Sequence, residues 1–189
     1  MERSDADVIA ASVHRPAEFG AIFDRHATVV HRYVVRRLGP SEAESITGEV
    51  FRIAFERRAA FDPDRTGDGA RPWLYGIATN LAAKHRRREI RRMHAVARLA
   101  TERGNPLDLA DDVAAEVDAE QRWRVVADAL SRLPQAELDV LVLHVWEQLD
   151  DEDIATSLGI PTGTVRSRRH RARRHLHELI DVIASKEKP

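Results

Sequence analysis

Residues 150–174, DDEDIATSLGIPTGTVRSRRHRARR, read as a short helix, a tight turn and a second helix loaded with arginine. Ile154 and Leu158 form an i, i+4 apolar pair, and the small Ala155 between them lets another helix cross closely. Gly159 can adopt the positive φ that follows a helix end. Pro161 beyond it stops the first helix from continuing. Thr162 or Thr164 then caps a new helix, with Val165 as its first buried residue. This is a helix-turn-helix layout, whose second helix ordinarily enters the DNA major groove.

At about 100° per residue, Val165, Ala172, Leu176 and Leu179 fall on one stripe that faces a core. The opposite face carries Ser167, His170, Arg171 and Arg174 at i, i+3, i+4 and i+7, with Arg166 and Arg173 flanking it at positions suited to phosphates. Residues 166–174 hold six arginines and no acid. Such a helix can also be a solvated basic face or lie on a membrane surface. Neither alternative accounts for the turn and the short helix that precede it. Arg169 breaks the pattern: it points about 40° from Val165, inside the buried stripe, where its stem can snorkel along the edge.

The 189 residues are 43% hydrophobic and 32% charged with a net charge of −1, enough for one domain or two small ones. The near-neutral total hides segregation. Residues 84–92 hold six Lys or Arg against the single acid Glu89, whereas residues 108–120 hold six acids and residues 137–153 seven, with no Lys or Arg in either run. Alternating basic and acidic patches imply a polyanionic partner and a second partner of another kind. With no cysteine in the chain, disulfides, thiolate metal sites and cysteine nucleophiles are excluded. The N-terminus lacks an apolar signal core and no window approaches a membrane span, so the expectation is a cytoplasmic protein without membrane insertion.

Residues 1–15 read as a loosely ordered tail. Pro16 suits a first helical position, and apolar residues from Phe19 to Leu38 recur at helical spacing up to Gly39. Ser41 with Glu44 reads as a capping box opening a second helix through Phe55, with Gly48 weakening it by ~1 kcal/mol relative to alanine. Residues 62–71 read as a polar loop, and Pro72 starts a third helix running into the RRREIRR segment. Residues 101–118 mix Gly, Pro and acids and read as part of a linker. Helices resume near Glu120, and Pro134 opens another carrying Leu138, Leu141, Val142, Val145 and Trp146. No strand pattern appears. The expected organisation is all-α: a tail over 1–15, a helical domain over 16–94, a linker over 95–118, and a second helical domain, the helix-turn-helix, over 119–189.

The third helix has two faces. Trp73, Leu74, Ile77, Ala78 and Leu81 belong to a buried side, while Gly76, Asn80, Ala83 and Arg87 run along the other with Lys84 and Arg91 beside them. Small residues on that flank let a large partner approach the backbone, and the bases supply phosphate contacts. Phe61, just before the loop, adds an aromatic surface on which an unstacked base can lie, although residues such as Phe61 and Trp73 are more often part of a core.

The stretches FGAIFDRHATVVHRYVVRRLG, GEVFRIAFERRAAFD and RPWLYGIATNLAAKHRRR resemble the second conserved region of bacterial RNA polymerase sigma factors. LPQAELDVLVLHVWEQL followed by DDEDIATSLGIPTGTVRSRRHRARRHL resembles their fourth region. The order and the short linker are similar to the extracytoplasmic-function (ECF) group. The resemblance implies partners and roles. Arg36, Arg37, Glu49, Phe51 and Arg52, or their neighbours, would grip core RNA polymerase. Phe61, Asn80, Ala83, Lys84 and Arg87 would read the −10 element of promoter DNA and capture a flipped base. Thr164, Arg166, Ser167, His170, Arg171 and Arg174 would lie on the −35 element. An inhibitory anti-sigma protein is a further partner for which the acidic runs offer a docking surface, and residues 108–120 are expected to restrain the DNA-binding faces of the free chain. Ser45 and Gly48 stand where many relatives carry an acid and a glutamine, and Arg169 stands where they are apolar.

No catalytic residues, metal ligands or cofactor are expected. His26 with His31, and His170 with His175, are five apart and point about 140° apart on a helix. HLHELI lacks zinc-protease spacing, and no phosphate-cradling glycine loop or serine elbow is present. The alternatives are a dimeric helix-turn-helix repressor or activator, whose first half would dimerise or sense a ligand, and a pair of protein-interaction modules.

Overall fold

The structure, a computed structural model, describes residues 3–66, 69–102 and 119–186, and every regular element among them is helical. The helices are α1 (Asp5–His14), α2 (Gly20–Leu38), α3 (Pro40–Arg57), α4 (Pro63–Thr66), α5 (Arg71–Glu102), α6 (Ala119–Arg132), α7 (Gln135–Val145), α8 (Asp151–Leu158) and α9 (Thr162–Lys186). Residues 103–118 of the linker expected over 95–118, and with them residues 108–118 of the restraining segment 108–120, lie outside the described residues. The chain forms two compact units, Met1–Lys84 with Val142–Ser167, and His85–Leu141 with Arg168–Pro189.

In the first unit α2, α3 and the start of α5 enclose Ile22, Val30, Tyr33, Val34, Val50, Ala54, Leu74, Tyr75 and Ala78, all essentially without exposure. Each large aliphatic side chain buried there contributes roughly 1.5–3 kcal/mol. The Tyr33 and Tyr75 rings pack at 5.2 Å, and the Tyr33 hydroxyl meets the Thr79 hydroxyl at 2.6 Å, so this core closes with its phenol satisfied.

Gly39, at φ 87°, ends α2, and Pro40 begins α3 directly after it. Ser41 is thereby already inside the first turn, no side chain caps this N-terminus, and the expected Ser41–Glu44 capping box does not form.

Residues 5–14, expected as tail, are instead helix α1. The Ser4 hydroxyl accepts the Asp7 N–H at 3.1 Å as its N-cap, and Val8 and Ile9 are buried. Asp5 is buried with them: its carboxylate accepts Arg25 at 2.9 Å, lies 2.6 Å from His26 Nε2, and accepts the backbone N–H of Ala70 at 3.0 Å. Burial alone would push this carboxyl up, but the Ala70 N–H together with Arg25 and His26 outweighs it and holds Asp5 below the ordinary range.

In the second unit Ala129, Leu133, Leu138, Val140, Leu141 and Ala172 are buried. Glu137 is buried too, with His175 Nδ1 at 2.7 Å and the Arg171 guanidinium at 3.8 Å. The Arg171 guanidinium and the His175 ring beside its carboxylate allow that burial.

Candidate nucleic-acid interface

The helix-turn-helix is built as its residues require. Asp150 caps α8, its carboxylate accepting the N–H groups of Glu152 and Asp153 at 2.9 and 2.8 Å. Gly159 closes α8 in the left-handed conformation, φ 64° and ψ 36°, and the Ile160 N–H reaches back to the Ala155 carbonyl at 3.0 Å. The Pro161 carbonyl then accepts Thr164 and Val165 at 2.8 and 3.2 Å, so α9 starts at Thr162. Desolvation raises the Asp153 carboxyl above its ordinary range, with the Asp150 charge adding to it.

Along α9, Val165 and Ala172 are fully buried and Leu176 and Leu179 half-buried, the stripe the periodicity predicts. Ser167, His170, Arg171 and Arg174 are exposed, as are Arg166 and Arg173; Thr164 is half-buried and Arg169 half-buried at the stripe edge. The Ser167 hydroxyl donates to the Thr164 carbonyl at 3.0 Å, which orients it locally. Arg166 approaches Asp151 at 3.3 Å and Arg174 approaches Glu178 at 3.7 Å, both at the surface, where such pairs hold a side chain weakly and release it readily.

On α5, Asn80, Lys84 and Arg87 are exposed and Ala83 half-buried. Phe61 and Trp73 are both half-buried and meet edge to face at 5.2 Å, so they form one aromatic wall. Beside them opens a cavity of about 250 Å³ whose lining includes Arg57, Asp62, Trp73, Asn80, Thr156 and Ser157. Gly76 departs from the expected open flank. It is buried, and a Cβ built on it would collide with the Ser157 carbonyl oxygen, whose carbon lies 3.2 Å away. The backbone that approaches Gly76 belongs to this chain.

The residues assigned to a polymerase surface are dispersed in environment. Arg52 is exposed and pairs with Glu49 at 2.6 Å and with Glu56; hydrogen bonding from Arg52 holds the Glu49 carboxyl below its ordinary range. Arg37 is half-buried. Arg36 is engaged at 3.1 Å with Glu147. Phe51 is buried and presents no surface of its own; its edge packs at 4.9 Å against Phe23, which is 47% exposed. Helical spacing marked Phe23 as apolar without marking it as surface, and only the partner helix decides that. Among the described residues no cluster of three or more His, Cys, Asp or Glu side chains is arranged to hold a metal ion, and no helix is long and apolar enough to cross a membrane.

Two protein families match this chain: Sigma-70 region 2 over residues 22–92 and Sigma-70, region 4 over residues 123–176. The chain is 33% identical over 182 residues to the ECF RNA polymerase sigma factor SigL of Mycobacterium tuberculosis, covering 94% of this chain and 97% of SigL. It is 31% identical over 168 residues to the ECF RNA polymerase sigma factor SigW of Bacillus subtilis, covering 86% and 88%. Its fold matches that of CnrH, solved in complex with the cytosolic domain of CnrY, with a TM-score of 0.63 at 22% identity over 94% of this chain and 97% of that one. It also matches RpoE of Bartonella quintana, solved with the anti-sigma factor NepR, with a TM-score of 0.54 at 20% identity over 87% and 98%.

Proposed function

This chain belongs to the ECF RNA polymerase sigma factors, and from that premise we propose how its own residues divide the work of promoter recognition. Residues 16–94 engage core polymerase and the −10 element, and residues 119–189 engage the −35 element. The observation that carries the reading is the polarity of α9: Ser167, His170, Arg171 and Arg174 stand exposed opposite the buried Val165 and Ala172, directly after the Gly159 turn. A helix so presented fits the major groove, with Ser167, His170 and Arg171 toward base edges and Thr164, Arg166 and Arg174 toward phosphates.

The −10 role rests on α5. Asn80 offers two donors and an acceptor to a base edge, Ala83 leaves room for a strand, Lys84 and Arg87 meet phosphates, and Phe61 with Trp73 forms a wall for a base extruded at a cost of a few kcal/mol. Strand opening is then driven by binding to the unpaired strand. The chain itself carries out no bond-making, which belongs to core polymerase, and it acts where that enzyme is, in the cytoplasm. The polymerase-facing surface runs over α2 and α3 through Arg36, Arg37, Glu49 and Arg52, with the exposed ring of Phe23 taking the place that buried Phe51 cannot fill. CnrY and NepR bind the relatives named above; an inhibitory anti-sigma protein is correspondingly a partner for this chain. A dimeric repressor needs no region-2 half of this kind, and that reading is not favoured.

The test is transcription from a template library with bacterial core polymerase. Starts at defined promoters that appear only with this chain, and that weaken when Asn80→Ala or Arg171→Ala is introduced, support the assignment. Variants with unchanged start-site use would reject it.

A further inference from the structure

Glu137 stands in the first turn of α7, the helix end whose dipole attracts a carboxylate, and its side chain is only 8% exposed. Its two oxygens are held by different residues of α9. Oε2 lies 2.7 Å from His175 Nδ1, within hydrogen-bond distance, and Oε1 lies 3.8 Å from Arg171 Nε, as an ion pair. Arg171 and His175 are four residues apart, so they share one side of α9 and meet the same carboxylate together. Glu137, Arg171 and His175 all belong to the second unit.

The division between the two oxygens makes the cluster directional. With His175 on Oε2, the plane of the carboxylate is set and Oε1 is left for Arg171. The guanidinium nitrogen paired with Glu137 is Nε, and the Arg171 side chain as a whole is 49% exposed. A buried carboxylate therefore anchors this side chain near its stem while much of it stays open to a partner. Arginine grips O6 and N7 of guanine with two nitrogens in a fixed fork, and a fork held in advance loses less freedom when it does so.

The other paired arginines on this face contrast with Arg171. Arg166 and Arg174 meet their carboxylates with 70% and 57% of the side chain exposed, where water screens the attraction and fixes neither in one geometry. A phosphate contact tolerates that play, because it asks for charge more than for angle. A bidentate base contact does not.

We propose that Glu137 is a positioning residue for promoter recognition: its carboxylate, fixed by His175, sets the Arg171 guanidinium for one base pair of the −35 element. The proposal rests on the base-reading role given to Arg171 above. Glu137 itself touches no DNA in this scheme and acts only through Arg171.

The test uses the full chain assembled with bacterial core polymerase. Templates carry a promoter selected by this chain, with the block farther from the start varied one base pair at a time, and relative transcript yields give the preference at each position. Arg171→Ala identifies the base pair that Arg171 reads. Glu137→Gln keeps the side-chain shape and removes its charge; His175→Ala keeps the charge and frees the carboxylate to turn. Both should lower preference at that same base pair, Glu137→Gln by about fivefold, the smaller end of what a bidentate arginine discriminates. Preference at the other positions should stand, and Glu137→Gln should add nothing in the Arg171→Ala background. A residue that merely stabilises the packing of α7 on α9 would instead reduce yield on every template alike and leave the preferences as they were. That result, or a further loss of preference in the double variant, or unchanged preference in Glu137→Gln where Arg171→Ala relaxes it, overturns the positioning role alone. If Arg171→Ala changes no preference, the base-reading role of Arg171 fails and the proposal falls with it.

Discussion

The Asp5 carboxylate accepts the backbone N–H of Ala70 at 3.0 Å, tying the first helix of the chain to the residue that precedes α5. The same carboxylate meets Arg25 and His26 of α2, so one side chain joins three segments. Asp5→Asn keeps the shape and removes the charge that these donors require. The expected loss is about 2 kcal/mol, the scale of a buried hydrogen-bonded charge, measured by urea denaturation at neutral pH. The sign with pH follows from a carboxyl held low. Its contribution is complete above the unfolded value of about 3.9 and disappears as pH falls through the lower folded value. The variant should therefore show a shallower loss of stability between pH 5 and pH 2, read from denaturation midpoints over about that range.

Tyr75 titrates in the opposite direction. Burial, and then the hydrogen bond to Glu147, push its phenol up to about 12. An ultraviolet titration of the native protein should show this ionisation near that value, and the normal range near 10 should return once the chain is unfolded. The stability linked to the neutral phenol is present below pH ~10 and is lost as pH rises from there toward the folded value. Tyr75→Phe should cost roughly 1–2 kcal/mol, because Glu147 loses a donor while remaining buried.

The turn of the helix-turn-helix admits a sharper comparison. Asp150→Ala removes the cap on the Glu152 and Asp153 N–H groups and should cost about 1 kcal/mol. Gly159→Ala forces a side chain into φ 64° and should cost a similar ~1 kcal/mol. Both effects should appear in thermal melts and add within a few tenths of a kcal/mol only if the two helix ends act independently.

Much of this was legible in the chain. Gly159, Pro161 and the Val165–Ala172 spacing locate the turn and the buried stripe because local backbone chemistry and a 3.6-residue period decide them. The exposure of Ser167, His170 and Arg171 follows from the same arithmetic. What was not legible depends on partners distant in sequence. Asp5, Glu137 and Glu147 are each buried against donors that the fold brings from elsewhere in the chain. Val8 and Ile9 give too short an apolar signal to announce α1. Gly76 shows the small-residue flank correctly, but only the structure reveals the Ser157 backbone lying on it. Ser41 and Glu44 match a capping box, and Pro40 starts the helix two residues too early for it to form.

The two kinds of arginine on α9 should separate in DNA binding. Arg166→Ala removes a phosphate contact, so affinity should fall alike on all duplexes, with the slope of log K against log salt reduced by about 1. Arg171→Ala should instead relax preference at one base pair by ~1–3 kcal/mol. Anisotropy titrations on the selected promoter and a scrambled duplex, at several salt concentrations, distinguish them.

The division of labour between α5 and α9 is tested most directly by sequencing the 5′ ends of transcripts made by core polymerase from a random-template library. Wild-type chain should impose starts preceded by two conserved blocks. Asn80→Ala should degrade only the block nearer the start, and Arg171→Ala only the farther one. If both variants degrade the same block, or neither changes the recovered sequences, the assignment of α5 and α9 to separate promoter elements is contradicted.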